Sequence, residues 1–162
     1  MNEPVVVESE MQMKPITILY GTETGNAEDC SEELSEELES DGFVNRVVDM
    51  EEYDCSELPD EDFVVVVTST HGDGDPPENA ADFLTHLTED RPSLSGVGFA
   101  VCGFGDTSYR YFCQTGKDFD KIFEELGADR KIERVDCDDP PEAEFEQFSQ
   151  NLKNYLQSQT GE

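Results

Sequence analysis

Apolar residues occur along the chain in short unbroken runs, separated by longer stretches in which they recur every three or four positions. The five consecutive apolar residues of Phe63–Val67 are typical of a strand buried on both faces of a parallel sheet. Recurrence at three- and four-residue steps instead predicts amphipathic helices. These patterns predict strands over Pro15–Tyr20, Phe43–Val48, Asp62–Thr68, Val97–Cys102 and Lys131–Val135. They predict helices over Asn26–Ser40, Glu78–Thr88, Cys113–Leu126 and Glu142–Leu156.

The predicted elements follow the order β-α-β-β-α-β-α-β-α, with a polar connection over 50–60 between the second and third strands. Such alternation is typical of α/β proteins, in which a parallel sheet carries helices on both faces. The length of 162 residues suits one domain with a single core. We therefore expect a doubly wound α/β domain over residues 14–158, preceded by a flexible tail over residues 1–13.

The charge balance of the chain is extreme, with 40 acidic and 10 basic residues and a formal net charge of −30. Three interpretations compete: a disordered acidic protein, an acidic face for basic partners, and adaptation to concentrated salt. The buried-strand runs and the ten Phe residues argue against disorder. The acids are spread along the whole chain, and concentrated salt screens their mutual repulsion, so we favour a halophilic protein.

The composition also limits which kinds of partner and which cellular compartment we expect for this protein. Few Lys and Arg residues are present to neutralise phosphates, which argues against nucleic acid as a partner. No stretch approaches the roughly 20 apolar residues of a membrane-spanning helix. Met1–Met13 resembles neither a secretory signal nor a basic transit peptide. We therefore expect a cytoplasmic monomer that does not bind membranes.

The five cysteines are odd in number and include no C-x-x-C pair. Neither a disulfide framework nor a zinc site is indicated by this spacing. We interpret them as reduced and mostly buried thiols.

Candidate chemistry is concentrated in three loops that follow predicted strands, over 21–26, 69–77 and 103–112. In open parallel sheets, ligands bind beyond the carboxyl ends of the strands, at the point where the strand order reverses. Because all three loops lie at such ends, we expect them to converge on one site.

The first loop, Gly21–Asn26, joins a strand to the N-terminus of a helix. Its hydroxyl groups, small residues and free backbone N–H groups suit a phosphate. The alternative is an ordinary turn in which Thr24 or Asn26 caps the helix, and the spacing alone leaves both open. The loop is neither a P-loop nor a G-x-G-x-x-G motif.

The second loop, STHGDGDPP over 69–77, combines glycines that permit unusual backbone conformations with prolines that limit its movement. We do not expect a metal site here, because the only other histidine, His86, lies on a predicted helix. Asp73 and Asp75 are interpreted as solvated acids rather than as a catalytic pair.

The third loop, over 103–112, is rich in aromatic residues in a chain without Trp. Such side chains are candidates for stacking on a flat ring. We prefer Tyr109 for this contact and interpret Phe112 from its position as a core residue. Together the three loops predict a phosphate site beside a planar ring, as in flavin mononucleotide (FMN). No Ser-His-Asp or Cys-His arrangement for nucleophilic catalysis is evident.

These loops also resemble a known family. The loop YGTETGNAE over 20–28 resembles the phosphate loop of flavodoxins. The stretches STHGDGDPPENA over 69–80, GFGDTSY over 103–109 and FCQTGKDFD over 112–120 are similar to the FMN domains of diflavin reductases, above all the sulfite reductase flavoprotein subunit. The resemblance covers about residues 15–156 and is to the short-chain type. It implies a five-stranded parallel sheet in the order 2-1-3-4-5, non-covalently bound FMN and one-electron transfer.

The resemblance further implies which residues hold the cofactor. It assigns the phosphate to Thr22, Glu23, Thr24, Gly25, Asn26 and Ala27. It assigns one side of the flavin ring to Ser69, Thr70, His71, Gly72 and Gly74, with the carbonyl of the Gly72 peptide accepting from flavin N5. It assigns the other side to Cys102, Gly103, Phe104, Gly105, Tyr109, Phe112 and Cys113. His71 departs from the family, in which many members have an aromatic residue or Gln at this position.

The function implied is that of an electron carrier between a donor and an acceptor redox protein. Diflavin reductases continue into an FAD- and nicotinamide-binding half, whereas this chain stops, so we expect its electrons to come from another protein. One alternative is an FMN-dependent NAD(P)H quinone or nitro reductase. Another is a flavin-free regulatory module, because fold does not fix function.

Overall fold

The computed structural model describes residues 15–22, 25–70, 76–105, 113–138 and 142–160. The predicted tail over 1–13 lies outside them. The strands are β1 (Ile16–Gly21), β2 (Asn45–Asp49), β3 (Phe63–Thr68), β4 (Gly98–Phe104), β5 (Asp129–Arg130) and β6 (Val135–Cys137). The helices are α1 (Asn26–Ser40), α2 (Glu78–Asp90), α3 (Gln114–Glu125) and α4 (Glu142–Thr160), and a 3₁₀ helix covers Cys55–Asp60.

The described strands form one parallel sheet in the order β2-β1-β3-β4-β5, and β6 also pairs with β4. The doubly wound α/β class and the order 2-1-3-4-5 are thereby confirmed. In the register of the three central strands, Gly21 pairs with Thr68 and Thr68 pairs with Gly103. The carboxyl ends of β1, β3 and β4 therefore lie side by side.

The apolar side chains of the central strand β3 point alternately to the two faces of the sheet, as its period of two requires. Val64 and Val66 belong to a core layer with α2 and α3, and Val65 and Val67 to a second layer with α1 and α4. Every residue of β3 is buried. The prediction of helices on both faces is confirmed.

The connection over 50–60 is more ordered than the sequence predicts. It contains the 3₁₀ helix, in which the Leu58 side chain is fully buried. The Asp54 carboxylate caps this helix by accepting a hydrogen bond from the Ser56 N–H at 3.0 Å. The helix brings Glu61, which is 8% exposed, beside the Arg46 guanidinium at 2.9 Å and the Thr17 hydroxyl at 2.8 Å. A buried carboxylate with these partners keeps its charge satisfied.

The predicted fifth strand over Lys131–Val135 is wrong. Strand pairing occurs on either side of 131–134: β5 pairs with the first residues of β4, and β6 pairs with its last three. Asp120 of α3, which is only 7% exposed, accepts hydrogen bonds from Arg130 at 2.9 Å and Arg134 at 3.2 Å. We attribute the interruption to these ion pairs, because a buried carboxylate requires charged partners. The hydrophobic pattern of the predicted strand contains no signal that a carboxylate elsewhere in the chain requires charged partners here.

Candidate functional site

The site predicted from the three loops lies where β1, β3 and β4 end. The backbone N–H of Ser69, the first residue after β3, donates to the Gly21 carbonyl at 2.9 Å. The Gly105 N–H, just after β4, donates to the Cys137 carbonyl at 3.0 Å. Ser69 and Gly105 thus extend the hydrogen bonding of the sheet by one residue beyond β3 and β4. These bonds fix the positions from which the chain leaves the sheet.

The N-terminus of α1 is open toward this edge. Gly25 precedes the helix in a left-handed conformation with φ 98°, which a residue with a side chain rarely adopts. Its carbonyl accepts from the Asp29 N–H at 2.9 Å, the first bond of the helix. The N–H groups of residues 26–28 are therefore outside the helical ladder. Among the described residues, no side chain caps this helix.

A hydrogen bond within the first loop connects Thr22 to Gly25. The Gly25 N–H donates to the Thr22 hydroxyl oxygen at 2.8 Å, which leaves the hydroxyl hydrogen able to donate elsewhere. A helix N-terminus beside a hydroxyl group that can donate is a favourable environment for a phosphate group. The described residues therefore fit the phosphate of FMN.

The second loop is tied to α3. The Thr115 N–H, in the first turn of α3, donates to the Thr70 hydroxyl oxygen at 3.1 Å. The Thr68 hydroxyl donates to the Ser69 carbonyl at 3.1 Å. Ser69 and Thr70 thus lie between β3 and the helix that follows the third loop.

The third loop begins and ends on buried backbone. The Cys113 thiol, fully buried, donates to the Gly103 carbonyl at 3.4 Å and joins the two ends of the loop. Cys113 also adopts a left-handed conformation with φ 54°, which costs a residue with a side chain about 1–3 kcal/mol and is found mostly at ligand sites and turns.

Three cysteines meet beneath this loop. The Cys102 and Cys137 sulfurs lie 3.5 Å apart, and the Cys113 thiol is 3.6 Å from the Cys137 carbonyl. All five cysteines of the chain are free thiols. Burial raises the pKa of Cys113 to about 12 and raises the pKa of Cys102 well above its ordinary value. These thiols stay protonated at neutral pH and pack as small apolar groups, in keeping with the predicted buried thiols.

The structure brings together the described members of the predicted site but does not expose all their side chains. Ala27, Cys102 and Phe104 point into the core layer that contains α1 and α4. These three positions can contact a ligand only through their backbone. Seven predicted residues lie outside the described part of the chain: Glu23, Thr24, His71, Gly72, Gly74, Tyr109 and Phe112. The side chain of Asn26 also lies outside it.

The structure adds two residues to the site that the sequence analysis does not identify. The Asn79 side chain of α2 accepts from the Thr22 N–H at 2.9 Å and donates to the Asp49 carboxylate at 2.9 Å. Asn79 stands in the stretch over 69–80 that resembles the diflavin reductases, but the resemblance assigns it no role in the site. Asp49 ends β2, which none of the three predicted loops follows.

Negative charge surrounds the first loop. The pKa of the Tyr20 hydroxyl is raised to about 12 by burial and by the nearby carboxylates of Asp49 and Glu28. Glu28 and Asp29 both lie in the first turn of α1. A ligand held here experiences a negative field as well as the donors of the helix terminus.

Two further features of the described ranges bear on the function. No group of three or more His, Cys, Asp or Glu side chains within them could hold a metal ion. None of the helices in the described part of the chain has the length and apolarity to cross a membrane.

A doubly wound parallel sheet whose central strands end level beside a helix N-terminus is typical of domains that bind a phosphorylated cofactor at the carboxyl edge of the sheet. The flavodoxin family profile matches residues 18–150. The chain belongs to the flavodoxin family. FMN is accordingly its cofactor, and electron transfer is its general role.

Relatives and solved structures agree with this assignment. The chain is 44% identical over 136 residues to the sulfite reductase (NADPH) flavoprotein alpha-component of Bacillus subtilis (strain 168), covering 82% of this chain and 22% of that protein. It is 44% identical over 126 residues to NADPH oxidoreductase A of Dictyostelium discoideum, covering 76% and 20%. The chain thus spans about a fifth of the length of these curated relatives. The flavodoxin of Streptococcus pneumoniae TIGR4 superposes with a TM-score of 0.75 at 30% identity, covering 87% of this chain and 99% of that one.

Proposed function

We propose that this chain carries single electrons between redox proteins on one non-covalently bound FMN. The observation that carries the proposal is that β1, β3 and β4 end level beside the N-terminus of α1, which no side chain caps among the residues described. It brings the N–H groups of a helix terminus to the edge of the sheet at which the second and third loops begin, and the cofactor of the family is FMN.

In this proposal, the phosphate accepts from the backbone N–H groups of residues 26–28 and from the Thr22 hydroxyl. Thr70, near the start of the second loop, and Cys113, after the third loop, would flank the flavin ring. When bound, FMN supplies reversible electron transfer. The protein orients the ring, and the carboxylates around Tyr20 disfavour added negative charge on it. A negative field of this kind would lower the reduction potential of a bound flavin.

We also propose that electrons reach the cofactor from a protein partner, or from another segment of a longer chain, rather than from NAD(P)H directly. The relatives named as NADPH reductases are about five times longer than the part this chain matches.

The net charge of −30 supports concentrated salt as the working environment of the carrier. Exposed carboxylates occur on every described helix, including Glu32, Glu36 and Glu39 of α1. Their repulsion is unfavourable in dilute buffer and is screened within about 3 Å at 1 M salt.

The test is spectroscopic. The protein is purified in concentrated KCl, its visible spectrum is recorded, and the cofactor released by acid is separated by chromatography. We expect FMN rather than FAD, stepwise reduction by dithionite under argon, and no bleaching by NADPH alone. Steady NADPH oxidation would favour a reductase. A colourless protein that stays colourless after addition of FMN would refute the proposal.

A further inference from the structure

Asn79 joins three elements at the phosphate end of the site. Its side-chain carbonyl accepts from the Thr22 N–H at 2.9 Å, and its amide nitrogen donates to the Asp49 carboxylate at 2.9 Å and lies 3.4 Å from the Tyr20 carbonyl. The side chain therefore links the first turn of α2 to the ends of β1 and β2. Both polar ends of the amide are engaged, so its orientation is fixed.

The Asp49 carboxylate is itself held in place. It accepts from the backbone N–H of Glu51 at 2.8 Å, and Asp49 pairs with Tyr20 in the sheet register. Asn79 is thus anchored on a residue whose position the sheet defines.

The consequence falls on Thr22. Its N–H is taken by Asn79 and its hydroxyl oxygen accepts from the Gly25 N–H at 2.8 Å. The remaining donor of Thr22 is its hydroxyl hydrogen, and the bond from Asn79 fixes the backbone that directs it. A donor fixed before the ligand arrives binds without an ordering cost.

We propose that Asn79 is a positioning residue for the cofactor phosphate, which acts by holding Thr22 so that its hydroxyl faces the N-terminus of α1. This inference depends on the proposed function, in which residues 22–28 hold that phosphate. Asn79 itself has no donor left for the ligand, so its effect on binding passes through Thr22.

The experiment compares affinities for FMN and for riboflavin, which has the same ring without the phosphate. Apoprotein is titrated with each flavin in concentrated KCl, and the ratio of the two Kd values measures the phosphate contribution. Asn79→Ala is expected to weaken FMN binding about tenfold, the value of one hydrogen bond of about 1.4 kcal/mol, and to leave riboflavin binding unchanged. Asn154→Ala, at an exposed position of α4, serves as the matched control with no change in either Kd.

A double-mutant cycle with Thr22→Val tests the route through Thr22. Removal of the Thr22 hydroxyl is expected to lower the FMN preference by itself, and Asn79→Ala is then expected to have little further effect. Additive losses would show that Asn79 acts independently of Thr22 and would overturn the inference.

A second variant keeps the experiment informative if Asn79→Ala fails to fold. Asn79→Asp retains volume and an acceptor for the Thr22 N–H but places a carboxylate beside Asp49, and it should lose the FMN preference. The double variant Asn79→Asp/Asp49→Asn has the wild-type net charge and restores an amide donor between the two positions, so it should regain part of that preference.

No recovery, or an equal loss for both flavins in Asn79→Ala, would overturn the inference. Equal wild-type affinities for both flavins would instead refute the placement of the phosphate.

Discussion

Ala80 of α2 lies directly against Gly21 at the end of β1. A Cβ atom on Gly21 would be 2.7 Å from the Ala80 Cβ and 3.0 Å from the Thr68 hydroxyl oxygen. Both positions are buried. The first turn of α2 therefore packs on the strand end from which the first loop leaves, and Asn79 of the same turn accepts from the Thr22 N–H.

Gly21→Ala is expected to destabilise the protein by about 1–3 kcal/mol, since the added methyl group overlaps buried neighbours. Ala80→Gly removes the closest of them but costs about 1 kcal/mol in the helix. The double variant should be more stable than the sum of the two single losses predicts. Urea unfolding at constant KCl measures all three. Additive losses would show that the two residues do not contact each other.

Asp120→Asn is expected to lower the free energy of unfolding by about 1.5–3 kcal/mol, because Asp120 bonds Arg130 and Arg134 with charge assistance. The matched control is Glu125→Gln, which weakens the exposed pair with Arg91 at 3.3 Å and should cost less than about 1 kcal/mol. The difference between the two variants should persist in concentrated salt, since buried pairs are screened less. Equal losses would contradict the role assigned to Asp120.

Alkaline pH should destabilise the protein through its buried thiols. Burial raises the pKa of Cys113 from its ordinary 9.0 to about 12. The stability from the protonated thiol is therefore fully present below pH 9 and is lost as the pH rises toward 12. Cys113→Ser is expected to flatten the fall of the unfolding free energy across this range. A fall as steep as that of the wild-type protein would exclude Cys113 as its cause.

Thiol reagents provide a separate measurement of the same burial. At pH 8, the fully buried Cys102, Cys113 and Cys137 should react far more slowly in the native protein than after denaturation, since the thiolate is the reactive form. The half-buried Cys55 should react first. Burial raises the pKa of Cys30 to about 12, so only its partial exposure favours its reaction over that of the three buried thiols. Rapid reaction of all five native thiols would contradict the packing around Cys102.

Stability should increase with KCl concentration because the net charge of −30 repels itself in dilute buffer. Replacement of the exposed Glu32, Glu36 and Glu39 of α1 by Gln should raise the unfolding midpoint at low salt and reduce its dependence on KCl. Sucrose, which is uncharged, should not reproduce the difference between the variant and the wild-type protein. A midpoint independent of KCl would refute the proposed adaptation to salt.

The local pattern of apolar residues was sufficient to predict the strands and helices whose apolar side chains are buried in the core. The run Phe63–Val67 is apolar at every position because β3 has helices on both faces, and this signal needs no knowledge of distant residues. The helix over Asn26–Ser40 is predicted equally clearly, because its apolar side chains recur on one face. The loops after β1, β3 and β4 followed from strand order and from the family resemblance.

Features that depend on partners far apart in the sequence were decided by the tertiary structure. The interruption at 131–134 exists because Asp120, on another element, requires Arg130 and Arg134, and the bond from Thr22 to Asn79 spans 57 positions of the chain. The sequence by itself predicted the first four strands, the four helices and, through the family resemblance, the cofactor, while the loops expected to hold that cofactor stay a prediction. Only the tertiary structure decided which polar groups satisfy one another, because a buried charge or donor is stable only beside a partner that the folded chain brings to it.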